Sequence, residues 1–175
     1  RRHFMGRRGS DVFASLPGPW RGEDPNALVA EVISHLDPDS APPEPLPGAI
    51  EFVRSTHARG IPIALVTSAN RVWAEYAVGE VLGLRSYFSA LVTWEDVVAG
   101  KPDPGPYAAA AAALHVDPAH TLAVEDTVPG VQSALAAGIG CVVAVTTTTE
   151  AQLLHDTGAH RVVTTLADLL RHATP

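Results

Sequence analysis

From Gly48 onward the chain alternates between stretches whose apolar residues recur at helical spacing and short, unbroken apolar runs. Ala49 to Arg59 puts Ile50 and Val53 on one face and stops at Gly60, which predicts a helix closed by a glycine. Ile61 to Val66 is a continuous apolar run that ends in Thr67, Ser68, Ala69 and Asn70, the pattern of a strand buried on both faces. The alternation then predicts a helix over 71–82, a short strand over 90–93, a loop over 94–101, and a helix over 104–114 that contains a run of six alanines. Thr121 to Val124 predicts another buried strand, and Thr127 caps a helix whose inner face runs through Val131, Ala134, Leu135 and Ala137. A strand over 141–145, a helix over 150–157, a short strand at Val162 and Val163 and a last helix from Leu166 complete the series. Helix and buried strand in turn are what a doubly wound, Rossmann-like parallel sheet requires, so the fold class is α/β.

The first part of the chain lacks strand signals. Leu28, Val29, Val32, Ile33 and Leu36 recur at helical spacing after a turn over 22–25. Residues 37–48, DPDSAPPEPLPG, hold five prolines in twelve positions and deny any regular element. The expected division is therefore 1–46, helical with a Pro-rich linker, and 47–175, an α/β core.

At 175 residues and 46% hydrophobic, the chain is long enough to bury a core. Its net charge of -7 argues against nucleic acid as a partner, because phosphate backbones select basic surfaces. The single cysteine, Cys141, lies inside an apolar run and reads as a small buried hydrophobe. The eight histidines show no ligand spacing. No apolar run reaches membrane-spanning length, and the expectation is a soluble, cytoplasmic protein with no membrane partner. Eleven of the twelve basic side chains are arginine, which leaves Lys101 as the one lysine.

Chemistry enters at three predicted strand ends, where open parallel sheets bind their ligands. Thr67, Ser68 and Asn70 offer hydroxyls, an amide and backbone N–H groups suited to phosphate. Lys101 precedes Pro102, which is expected to fix the chain and open the next helix. Glu125 and Asp126 are adjacent carboxylates at the end of a buried strand, costly together unless a cation is shared, and they suit Mg²⁺. Hydroxyl, ammonium and paired carboxylates in this order make a phosphoryl-transfer site, where catalysis is positioning and charge neutralisation. A receiver domain uses similar groups, but its acids come first and its lysine last, the reverse of this chain.

At these residues the sequence resembles the haloacid dehalogenase (HAD) superfamily, in its β-phosphoglucomutase-like phosphatase branch. Three of four family motifs occur in order: ALVTSAN with Thr67, GKPDPGPY with Lys101, and VEDTVPGVQSALAAG with Glu125 and Asp126. FMGRRGSDVFASL resembles part of the family's helical cap and implies that Arg7 or Arg8 lies near the substrate. The resemblance implies Thr67, Lys101 and Asp126 as catalytic residues, Ser68 and Asn70 beside the phosphate, and Glu125 and Asp126 as Mg²⁺ ligands. It implies a small phosphorylated substrate of the sugar phosphate type, hydrolysed through an aspartyl-phosphate. Gly105 stands where relatives carry an aspartate, so that helix start is expected to lack a capping carboxylate.

The family's first motif, a strand ending in D-x-D that supplies the nucleophile and the central strand, is not found. The one D-x-D, Asp37-Pro38-Asp39, follows a helical pattern and is crowded by prolines. The motif is expected upstream of Arg1, and without it the strands ending at Thr67 and Asp126 are expected to face a gap with unpaired edges. The alternatives are a remnant that binds Mg²⁺ and phosphate without turnover, or a phosphoglucomutase-like phosphotransferase. Oligomeric state is not legible.

Overall fold

The computed structural model describes residues 4–35 and 43–171. Two helices come first, α1 (Gly9–Ser15) and α2 (Pro25–Ser34). Asp24 caps α2 by accepting from the Asn26 amide, and Pro25 occupies the first turn, where its missing N–H costs nothing. The two helices pack closely because Gly9 has no side chain: a Cβ there would come 2.9 Å from Cγ2 of Val29. The apolar stripe expected on α2 is otherwise poorly covered, with Val32 50% and Ile33 41% exposed. Leu36 and the Asp37-Pro38-Asp39 stretch lie outside the described residues.

The alternating part of the chain follows in the expected order. It comprises α3 (Ala49–Ala58), β1 (Ala64–Val66), α4 (Arg71–Glu75), β2 (Ala90–Val92), α5 (Gly105–Leu114) and β3 (Leu122–Glu125). Then come α6 (Val128–Ala136), β4 (Cys141–Val145), α7 (Ala151–Asp156), β5 (Arg161–Val163) and α8 (Leu166–Arg171). Three local expectations are corrected. Residues 61–63 are not strand, since Pro62 has no N–H to give a ladder. The 71–82 helix is α-helical only to Glu75 and continues as a π-helical turn over Tyr76–Val81. Pro102 does not open a helix; its peptide bond with Lys101 is cis, and α5 starts at Gly105.

Every strand pairing is parallel, as the α/β pattern requires, but the strands form two sheets rather than one. β1 pairs with β2, with Val66 opposite Val92, and β3, β4 and β5 make a second sheet with Glu125 opposite Ala144. The core is organised by β4, whose side chains alternate between two buried faces. Val142 and Ala144 meet Val131 and Ala134 of α6 and Leu154 of α7, all 0% exposed. Val143 and Val145 meet Val163 and, from α8, Leu166 and Leu169. Burial on both faces explains why the 141–145 run is continuously apolar. A smaller cluster of Ala74, Val78 and Leu91, with Leu65 and Phe88 beside it, lies under the first sheet. Among the described residues, no helix is long and apolar enough to cross a membrane.

Candidate active site

Parallel strands deliver their carboxyl ends to one side of a sheet, and the candidate residues all follow strand ends. Thr67 comes directly after β1, Glu125 ends β3, Asp126 follows it, and Lys101 lies in the loop ahead of α5. All four line a single cleft of about 1380 Å³. The Lys101 ammonium joins the two sheets: it donates to the carbonyl of Val66 at 3.2 Å and forms an ion pair with Oε1 of Glu125. Both side chains of that pair are buried.

Glu125 is held from four directions. Besides Lys101, its carboxylate accepts from the Tyr107 hydroxyl at 2.7 Å, the Thr127 hydroxyl at 3.2 Å and the Asp126 amide at 3.2 Å. Gly130 makes room for it, since a Cβ there would fall 1.9 Å from Oε2. Thr127 also caps α6 by accepting from the Gly130 amide, so one threonine fixes both the helix start and the carboxylate. Tyr107 was not legible as a site residue. Its ring lies under the Lys101 ammonium, 5.3 Å away, and burial together with the Glu125 charge raises its hydroxyl well above the ordinary value of 10.0. The available signal was its position six residues after Lys101, in the first turn of α5.

Asp126 is half-buried and lines the cleft. The Thr147 and Thr148 hydroxyls both reach its Oδ2, each at 3.0 Å. Among the described residues no group of three or more His, Cys, Asp or Glu side chains converges on one point. The donors beside the cleft are carboxylate and hydroxyl oxygens, which fit Mg²⁺, an ion held by one or two carboxylates with water and substrate oxygens completing its shell. The four bonds on Glu125 leave Asp126 as the carboxylate better disposed toward such an ion.

The other candidates divide. Thr67 donates its amide to Val92 and accepts from the Ala69 amide at 3.1 Å; Ser68 lines the cleft and donates to the Gly6 carbonyl at 3.2 Å. Asn70 does not line it; its side chain caps α4 by accepting from the Trp73 amide at 2.7 Å. Arg7 lines the cleft, donates to Ser15 at 3.3 Å and has a buried Nε with no partner. Arg8 instead pairs with Asp11 at 2.7 Å and donates to the carbonyls of Val97 and Val98. At the start of α5, the carboxylate expected to be lost with Gly105 is supplied by Asp103, which accepts from the Gly105 amide at 2.8 Å.

The cleft wall also contains every residue of β1 and every residue of β3. Side chains of a strand alternate, so consecutive residues share one wall only where the strand presents its edge. Each of these strands has one ladder partner among the described residues, β2 for β1 and β4 for β3.

Comparison with known proteins agrees with this geometry. Residues 2–138 match the family model described as haloacid dehalogenase-like hydrolase. The chain belongs to that family. It is 35% identical over 154 residues to validoxylamine A 7'-phosphate phosphatase of Streptomyces hygroscopicus subsp. limoneus, covering 87% of this chain and 71% of the relative. It is 35% identical over 122 residues to fructose-1-phosphate phosphatase YqaB of Escherichia coli (strain K12), covering 68% of this chain and 62% of that one. Among solved structures, a Bacteroides vulgatus protein provisionally assigned as a beta-phosphoglucomutase superposes with a TM-score of 0.81 at 25% identity, over 98% of this chain and 71% of that chain. These relatives put the chain on the phosphatase branch of the haloacid dehalogenase-like hydrolases.

Proposed function

We propose that the intact protein is a Mg²⁺-dependent phosphomonoester hydrolase acting on a small phosphorylated metabolite of the sugar phosphate type. The observation that carries this reading is the Lys101 ammonium, fixed at the joined ends of β1 and β3 in the same cleft as Thr67 and Asp126. It supplies fixed positive charge where the equatorial oxygens of a transferring phosphoryl group gather negative charge. The Thr67 hydroxyl and the Ser68 amide offer donors to the same oxygens, and Arg7, from the 1–46 part that resembles a cap, offers a guanidinium at the cleft wall. Asp126, with Glu125 behind it, holds Mg²⁺, whose chemistry is to neutralise phosphate charge and orient the group for in-line attack. The phosphatases similar to this chain support a phosphorylated substrate, and the fructose-1-phosphate phosphatase supports a sugar phosphate.

The nucleophile in this reading is an aspartate at the end of a strand that occupies the cleft between the β1 and β3 edges. Its carboxylate attacks phosphorus, the bond to the substrate oxygen breaks, and the alcohol leaves with a proton from the second aspartate of the same D-x-D; that aspartate then takes a proton from the water that cleaves the aspartyl-phosphate and releases inorganic phosphate. The two facing edges support this placement, as does the absence of other carboxylates than Glu125 and Asp126 from the described cleft wall. That same absence favours one second reading, a Mg²⁺ and phosphate-binding protein without turnover. The test is hydrolysis of fructose 1-phosphate and p-nitrophenyl phosphate by this chain and by one extended upstream with an apolar segment ending in Asp-x-Asp. Mg²⁺-dependent turnover only in the extended form, lost in Asp126→Asn, is expected; no turnover in either form, with Mg²⁺ still bound, favours the binding protein. The net charge of -7 supports an enzyme without a nucleic acid partner.

A further inference from the structure

The run of four threonines between β4 and α7 meets the site through Asp126. It crosses from the end of β4 toward the end of β3, and two of its members turn their hydroxyls onto Asp126. Thr147 donates to Oδ2 at 3.0 Å. Thr148 lies 2.7 Å from the main-chain carbonyl of Asp126 and 3.0 Å from Oδ2, so its single proton is shared between backbone and side chain. Oδ1 has no hydrogen-bond donor among the described residues. Asp126 and Thr148 both line the cleft.

We infer that Thr147 and Thr148 are positioning residues for the metal carboxylate: they tie one oxygen of Asp126 to the β4 loop and leave the other for the cation. This rests on the reading of Asp126 as a Mg²⁺ ligand. An aspartate rotates freely about two side-chain bonds, and its unpaired carboxylate samples orientations that do not face the cleft. Two donors on Oδ2 and a third contact on the adjacent carbonyl select one of them before the ion arrives. Groups that orient a ligand in this way typically change metal affinity about 10- to 100-fold when removed. The hydroxyl is the active feature, since valine has nearly the shape of threonine without the donor.

Isothermal calorimetry with MgCl₂ alone, on the full chain and its variants, separates the possibilities. Asp126→Asn is expected to abolish binding, the double change Thr147→Val with Thr148→Val to raise Kd roughly tenfold, and the corresponding serine pair to restore the parent affinity. Loss of binding in Asp126→Asn with parent affinity in the valine pair overturns the inference and leaves the metal reading standing. Parent affinity in Asp126→Asn removes both. Thr147→Val alone keeps the Thr148 contact with the backbone and serves if the double variant does not fold; an unchanged Kd there also overturns the inference.

Discussion

Lys101 and Glu125 form an ion pair whose side chains are only 8% and 6% exposed, and each has partners beyond the other. Two charges taken from water to this depth cost several kcal/mol each, and only close pairing with further hydrogen bonds offsets that. Here the lysine also holds the Val66 carbonyl, and the glutamate also holds Tyr107 and Thr127. Removing one member strands the other. Lys101→Met is expected to destabilise the fold by about 3–5 kcal/mol, and the double change of Lys101→Met with Glu125→Gln by less than the two single changes together. Urea denaturation of the four proteins measures the coupling; additive losses would mean that the charges are independently solvated. Lys101→Arg keeps the charge but not the compact ammonium, and is expected to lose most activity of the intact enzyme.

Tyr107 is the hydroxyl donor that completes Glu125. Tyr107→Phe keeps the ring beneath Lys101 and deletes one bond to a buried carboxylate, which costs roughly 1.5–3 kcal/mol. The raised Tyr107 pKa adds a pH dependence of definite sign. Above pH 10.0 the unfolded chain releases this proton and the folded chain retains it, so stability is whole below that pH and declines as pH rises further. The phenylalanine variant is expected to lack this share of the alkaline decline. Melting temperatures of both proteins at pH 8 and about pH 10.5 decide it.

Asp96 gives the opposite dependence. Burial raises its pKa, but the Thr93 amide and hydroxyl and the Arg71 guanidinium outweigh that and hold it below its ordinary value of 3.8. A depressed carboxylate contributes stability that is present above its unfolded pKa and is lost as pH falls through the folded one. The pair with Arg71 is partly exposed, 42% and 35%, so solvent screening keeps the contribution small. Asp96→Asn is expected to melt below the parent at pH 7 and to converge with it below pH 3.8. A constant gap across that range would remove the charge from the explanation.

The α/β order, nearly every element and the three strand-end motifs were legible because apolar runs buried on both faces, such as 141–145, leave a plain record in sequence. What was not legible depends on partners distant in the chain. Glu125 and Asp126 both read as metal ligands, yet tertiary contacts separate them, one facing Lys101 and Tyr107, the other facing threonines from the β4 loop. Asn70 reads as a phosphate donor, but its side-chain oxygen is taken by the Trp73 amide. Arg7 and Arg8 are adjacent and alike in sequence; only the fold brings Val97 and Val98 to Arg8 and the cleft to Arg7. Pro62 was present in the predicted strand and its missing donor was the signal for shortening it.

The Arg8 contacts make a last prediction, about how the first helices bear on Lys101. Asp11 accepts from Arg8 at 2.7 Å through Oδ1 and from the Gly100 amide at 3.2 Å through Oδ2, while Arg8 donates to the Val98 carbonyl at 2.9 Å. One carboxylate thus ties α1 to the residue immediately before Lys101. Gly100 permits the approach, since a Cβ there would come 2.8 Å from that same Oδ2. Asp11→Ala removes the acceptor and frees Arg8, at an expected cost of about 1–2 kcal/mol, because the site is only partly buried. The effect should be local. Hydrogen exchange is expected to quicken at the Gly100 amide and over 97–101, while the β4 amides in the core keep their protection. Uniform acceleration through β4 would instead mean that the contact supports the whole fold, and unchanged exchange at Gly100 that the carboxylate does not hold the loop.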